Sequence, residues 1–310
     1  MRCVIAACLL LVASARALAV PPGTVSWSAE VVCMMRAIAS QHPDPVLRNP
    51  DQIAAQICPR PFELRDYESA RAAIDADPES FAGYFYVNAR THCIDAAVDR
   101  AARGGAAQIV ILGAGFDSRA YRLHDAHPGL RFFEVDLPAM IEAKKERLAS
   151  GFVSIPEHVR FVPIDFDTQS LDDVLPAAGY RSSQQTLFIF EGVTMYVGEA
   201  ATEATLEFVR RHAARGSVIV FDYLLREVVE GDSSRFYAAA TSARSLAQRG
   251  EPLVTGWSRD EAVSLVRRHG LDVVDDLGTE ELVARYLIAR DGRVDGRILE
   301  GNRILQAIVP

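Results

Sequence analysis

The hydrophobic pattern of the chain changes character near residue 105. Before it, apolar residues recur at helical spacing. Val31, Val32, Met35 and Ile38 share one face of a segment over 24–40, and the spacing predicts further helices over 66–76 and 81–103. Proline-rich connectors at 42–50 and Pro59-Arg60-Pro61 separate these segments, and Gly104-Gly105 closes the last. After residue 105 come short, nearly continuous apolar runs at 109–112, 131–135, 159–164, 186–190 and 217–223, with helix or loop between them. Such runs read as strands buried on both faces. Their alternation with helices predicts an α/β fold: a doubly wound, mostly parallel sheet behind a helical N-terminal cap. Two later stretches, Leu271–Val274 and Leu282–Ile288, fit a closing antiparallel pair at the sheet edge. The pattern divides the chain into residues 1–20, a helical cap over 21–105 and a sheet domain over 106–310. It contains no internal repeat and no membrane-length apolar run.

The first run carries the candidate chemistry. Ile109–Leu112 leads straight into Gly113-Ala114-Gly115, where the backbone turns with no side chain in the way. Ligands of open α/β sheets bind outside the carboxyl ends of the strands, so this turn marks a nucleotide site. The next strand ends in Asp136, 23 residues after Gly113, a spacing suited to a carboxylate that binds a ribose. A dinucleotide site needs a third glycine where this chain has Ser118, and the neighbouring Asp117 would repel a pyrophosphate. No G-x-x-x-x-G-K-[ST] cradle occurs either. A cationic ligand with ribose and adenine but no phosphate fits better, and S-adenosyl-L-methionine (SAM) is such a ligand.

The run V-I-L-G-A-G-F-D-S-R-A-Y-R-L, followed by F-F-E-V-D-L-P-A-M-I-E-A-K-K-E-R-L, resembles the leucine carboxyl methyltransferase-like family of SAM-dependent O-methyltransferases. The likeness continues through F-V-P-I-D-F at 161–166, F-E-G-V-T-M-Y-V at 190–197 and R-Y-L-I-A-R-D-G-R at 285–293. It covers roughly residues 22–310, with Phe116, Ser118 and Phe166 as mild departures. It implies a Rossmann-like methyltransferase fold and SAM as cosubstrate. It implies further that Arg90 reaches the cosubstrate's carboxylate, and that Asp165 and Phe166 serve its adenine. The acceptor is then a small molecule or a protein C-terminal carboxylate. Two alternatives stay open: a nicotinamide-dependent oxidoreductase on a similar sheet, and a non-catalytic SAM-binding protein.

Each candidate has a plainer reading. Gly113 and Gly115 could be an ordinary strand-to-helix turn, Asp136 a helix cap before Pro138, Asp165 a turn aspartate and Arg90 a solvated helix arginine. Glu191 follows five largely apolar residues, so its carboxylate needs a partner, which a sulfonium or ammonium would supply. Tyr196, just beyond it, could face the acceptor or pack on the cap. His124 and His127, with no third ligand, do not make a metal site. No residue is forced into the role of catalytic base. A carboxylate or acidic hydroxyl as acceptor needs none.

Composition narrows the classes. The net charge of −8, from 33 basic and 41 acidic residues, argues against nucleic-acid binding. Met1-Arg2, the apolar run from Cys3 to Ala13 and Ala17-Leu18-Ala19 form the n-region, h-region and cleavage pattern of a signal peptide. SAM is made inside cells, so that segment reads as export signal, organelle presequence or the product of an upstream start codon. Without it Cys33, Cys58 and Cys93 remain, an odd count that indicates neither a disulfide framework nor a zinc site.

Overall fold

The structure, a computed structural model, describes residues 25–58, 66–151, 153–165 and 168–310. The signal-like segment at 1–20 and Phe166 lie outside the described residues. Four helices come first: α1 (Trp27–Ala39), α2 (Ala54–Ile57), α3 (Tyr67–Ala76) and α4 (Ala82–Arg103). The alternating region follows as β1 (Gln108–Leu112), α5 (Arg119–Arg122), β2 (Arg131–Asp136), α6 (Pro138–Ser150), β3 (Val159–Pro163), α7 (Leu171–Ala177), β4 (Thr186–Phe190), α8 (Glu199–His212) and β5 (Val218–Leu224). Then come α9 (Arg226–Val229), α10 (Ala239–Ala247), α11 (Arg259–Arg268), β6 (Asp272–Leu277), α12 (Thr279–Tyr286) and β7 (Asn302–Ile308).

The seven strands form one sheet in the order β3-β2-β1-β4-β5-β7-β6. The first five are parallel, and β7 runs antiparallel to both β5 and β6. The strand order reverses between β1 and β4, which places the ligand crevice at their carboxyl ends. Alternate residues of each strand face opposite layers. Ile109, Ile111, Leu187, Ile189, Val220 and Ile304 pack with α3, α4 and α12. Val110, Leu112, Phe188, Phe190, Phe221 and Leu305 pack with α7, α8 and α11. The helix α4 therefore shares the core of the sheet.

One predicted element is corrected. Leu282–Ile288 is not a strand: it lies mostly in α12, whose Leu282, Val283, Tyr286 and Leu287 pack with the α4 layer. That spacing is helical, and the Glu281 carboxylate accepts the Gly278 N–H at 2.9 Å to start the helix. The partner of β6 is β7 instead. Its sequence N-R-I-L-Q-A-I hides a buried strand behind polar Arg303 and Gln306, which pair with Asp276 and Arg100. Among the described residues no helix is long and apolar enough to cross a membrane.

Candidate functional site

At the carboxyl end of β1 the chain turns at Gly113 (φ +67°) and Gly115 (φ +43°), a region that side chains avoid. A Cβ on Gly113 would lie 2.5 Å from Val193 Cγ2, so the turn can pass the loop after β4 only as glycine. The Asp136 carboxylate accepts the Gly115 N–H at 2.6 Å and the Leu137 N–H at 2.7 Å, one on each oxygen. The N-cap of α6 is Leu137, so Asp136 is not the cap residue. Each of its oxygens keeps a lone pair, enough for two ribose hydroxyls. Burial pushes this carboxyl above its ordinary value, against the pull of those two hydrogen bonds.

Beside this turn lies a chain of buried charges. Arg36 pairs with Asp51 at 2.8 Å, Arg122 reaches Asp51 and Asp95, and Arg119 meets Asp95, Asp117 and Glu191. Arg90 Nε lies 2.8 Å from Glu191 Oε1, outside hydrogen-bond geometry, and Arg90 Nη1 donates to Asp222 Oδ2 at 2.6 Å. No side chain of this ion-pair network exceeds 15% exposure. Four arginines face five carboxylates, a formal balance of −1. Burial works against the charge of Glu191, but Arg119 and then Arg90 outweigh it and hold the carboxyl below its ordinary value. Asp117 is held at about 2, again against burial and chiefly by Arg119. Two arginines, Arg90 and Arg119, already meet the charge of Glu191, so a ligand cation would interact with the network as a whole.

Asp222 is the second anchor. It is fully buried on β5 and accepts Tyr86 Oη–H at 2.9 Å and Gly192 N–H at 2.6 Å, besides Arg90. Arg36 also donates to the Phe116 carbonyl at 2.6 Å, which pins the glycine turn to α1. These contacts bind α1 and α4 to the carboxyl edge of the sheet.

A cavity of about 670 Å³ opens along that edge. Arg90, Gly113, Gly115, Asp136 and Glu191 line it together with Asp117, and the volume is that of a small-molecule site. Asp165 is exposed at the end of β3, next in sequence to Ile164, whose N–H bonds the Asp136 carbonyl, but it is not among the lining residues. Tyr196 lines the cavity, and burial pushes its hydroxyl up to about 12. His124 stacks on His158, and His127 faces Asp99 at 3.4 Å. Among the described residues no group of acids, histidines and cysteines could hold a metal ion, and Cys33, Cys58 and Cys93 form no disulfide.

Sequence reasoning missed Arg36, Tyr86, Asp95, Arg119 and Asp222. Only Asp222 left a signal, as a lone acid within the apolar run V-I-V-F-D-Y-L. The arginines were lost among the many arginines of the chain. The far wall of the cavity was also missed. It comes from Leu224, Val228, Ala239 and Leu253, between β5 and α11, rather than from the N-terminal helices alone.

The strand order, the glycine turn after β1 and the acid closing β2 define a Rossmann-like methyltransferase fold. More narrowly, the chain belongs to the leucine carboxyl methyltransferase family, whose model matches residues 29–210. A Bacillus subtilis relative, YktD, is 33% identical over 184 residues, covering 57% of this chain and 58% of that protein. A Streptomyces coelicolor relative, SCO7813, is 33% identical over 227 residues, 71% of this chain and 75% of that protein. Both carry provisional names as SAM-dependent methyltransferases. The chain spans about three-fifths of the first relatives it matches, 58% of YktD and 62% of a Mycobacterium avium relative. The crystal structure of a DUF574 family protein from Streptomyces avermitilis shares the fold, with a TM-score of 0.55 at 18% identity over 79% of this chain and 92% of that one.

Proposed function

We propose that the protein transfers a methyl group from SAM to the oxygen of a carboxylate or acidic hydroxyl. One observation carries the reading: a single cavity joins the Asp136 carboxylate and the glycine turn to a buried charge network with one carboxylate in excess. That excess favours a ligand with net positive charge. SAM supplies a sulfonium-bound methyl group, open to in-line displacement. The lone pairs left on Asp136 suit ribose hydroxyls. Arg90 Nη2, which makes no hydrogen bond to the described residues, is free for the cosubstrate's carboxylate. Holding three atoms in line provides much of the catalysis, so the chain's task is alignment and exclusion of water. None of the lining residues is histidine, and the Tyr196 hydroxyl stays protonated near neutral pH. Both facts suit an acceptor that ionises by itself. A nicotinamide oxidoreductase is disfavoured by the missing third glycine and the family assignment. Calorimetric titration with S-adenosylhomocysteine (SAH), SAM and NAD tests the reading. Binding of the first two and not NAD is expected, and the reverse would sink it.

A further inference from the structure

Two of the 33 basic residues are lysines, and they stand side by side on α6. Lys145 is partly exposed and pairs with Glu142. Lys144 is 1% exposed, and its Nζ lies 2.8 Å from Oε2 of Glu134, which is fully buried on β2. The Tyr121 hydroxyl of α5 donates to the same oxygen at 3.0 Å. Yet Glu134 Oε1 and Lys144 Nζ have no hydrogen-bond partner among the described residues. A buried ion pair with unmet polar atoms gains little stability over apolar side chains of similar size. Its place beside the site gives it another use.

Glu134 and Asp136 are two residues apart on β2, so their side chains leave the same face of the sheet, about 7 Å apart along the strand. The helix α6 starts at Pro138, just after that strand end, and brings Lys144 back over the same face to Glu134. Side chains on a helix tilt toward its N-terminus, so Lys144 leans back toward the carboxyl edge. Neither Lys144 nor Glu134 lines the cavity, whereas Asp136 does. The other charges around Asp136 are bound to one another. Arg36 of α1, Asp117 of the turn and Glu191 after β4 share its cavity, and with Arg119 of α5 they belong to the buried network. Asp165, beyond β3, is exposed. Burial pushes the Asp136 carboxyl up, and the Gly115 and Leu137 N–H groups and then Lys144 pull it back. A protonated carboxyl would give up acceptor capacity, so its hold on two ribose hydroxyls depends on its charge.

We propose that Lys144 is a positioning residue for the cosubstrate: Glu134 holds its ammonium beneath Asp136, where the positive charge favours the carboxylate that receives the ribose hydroxyls. This rests on the methyl-transfer reading above, in which Asp136 binds that ribose. Lys144 touches no ligand and acts through Asp136.

Calorimetric titration of the full chain with SAH, between about pH 4 and pH 8, tests this. Against burial, Arg119 and then Lys144 hold Asp117 at about 2, below that range. The affinity of the unaltered protein should fall on the acid side as Asp136 takes up a proton. Lys144→Met removes the cation, so the Asp136 carboxyl should move up. The fall should then begin about one pH unit higher, a loss of up to about tenfold at a given acid pH. Asp136→Asn has no proton to take up there, and adding Lys144→Met to it should move the acid limb no further. Lys144→Met combined with Glu134→Gln strands no buried charge and should show the same upward shift, which covers a single variant that fails to fold. An acid limb unmoved by Lys144→Met, alone or with Glu134→Gln, overturns the proposal even where Tm falls. So does an equal shift in the Asp136→Asn background, which would make the effect of Lys144 independent of Asp136. Failure of the unaltered protein to bind SAH rejects the methyl-transfer reading instead.

Discussion

Arg90 on α4 and Asp222 on β5 lie 2.6 Å apart, with side chains 7% and 0% exposed, so one buried ion pair fastens the long cap helix to the carboxyl edge of the sheet. The pair needs further hydrogen bonds to offset the desolvation of both charges, and Tyr86 and the Gly192 amide supply them to Asp222.

Removing one partner leaves the other charge buried and alone. Asp222→Ala should therefore destabilise the fold by about 3–5 kcal/mol, read as a lower Tm by calorimetry. Asp222→Asn keeps the shape and an acceptor for Gly192, and should lose less. An unchanged Tm in the alanine variant would show that the pair adds nothing to stability.

Asp136 holds the glycine turn and faces the cavity. Asp136→Ala should weaken SAM by about 1–3 kcal/mol, the usual cost of a lost hydrogen bond to a charged group. Titration with SAM and a melting curve separate the two roles. Unaltered affinity with a collapsed Tm would leave Asp136 as a clamp for Gly115 and Leu137 only.

Glu191→Gln raises the formal balance of the network from −1 to neutral. SAM, which carries the sulfonium, should then weaken more than SAH, which lacks it. Equal losses would mean that the ammonium common to both ligands feels the charge. No loss for either ligand would remove the network from cosubstrate recognition.

Acid stability follows from the depressed carboxyls. Asp117, held at about 2 against an ordinary value of 3.8, contributes stability that is fully present above about pH 4 and is lost as pH falls toward 2. Glu191 and Asp95, also lowered, act in the same direction. Tm should stay level with respect to these groups near neutral pH and fall below pH 4. In Asp117→Asn the fall should be shallower, and an identical acid limb would discount the Asp117–Arg119 pair.

Gly113→Ala places a Cβ at φ +67° and 2.5 Å from Val193 Cγ2. The backbone strain alone costs about 1–3 kcal/mol. Adding Val193→Ala should recover the part due to the clash and leave the part due to φ. A double variant no more stable than the single one would show that the clash is absorbed elsewhere.

The parallel core was legible because each of its strands is a short apolar run bounded by turn residues. Glu191 and Asp136 stood out for a related reason, as acids that close such runs. The antiparallel edge was not legible. The polar residues of β7, Arg303 and Gln306, find their partners only across the fold, while the apolar residues of α12 match a strand when read by composition alone.

Sequence alone determined the class of sheet, the glycine turn with its spaced acid and the family likeness, because backbone conformation and burial period are local properties. Tertiary structure decided which charges compensate one another. Arg36, Arg90, Arg119 and Arg122 stand on three helices and their acids on loops, strand ends and α4, so no spacing along the chain foretells the pairs. It also decided that Leu253, 117 residues beyond Asp136, shares its cavity. Ion pairing and cavity shape depend on distances through space, and only packing of the helices on the sheet sets those.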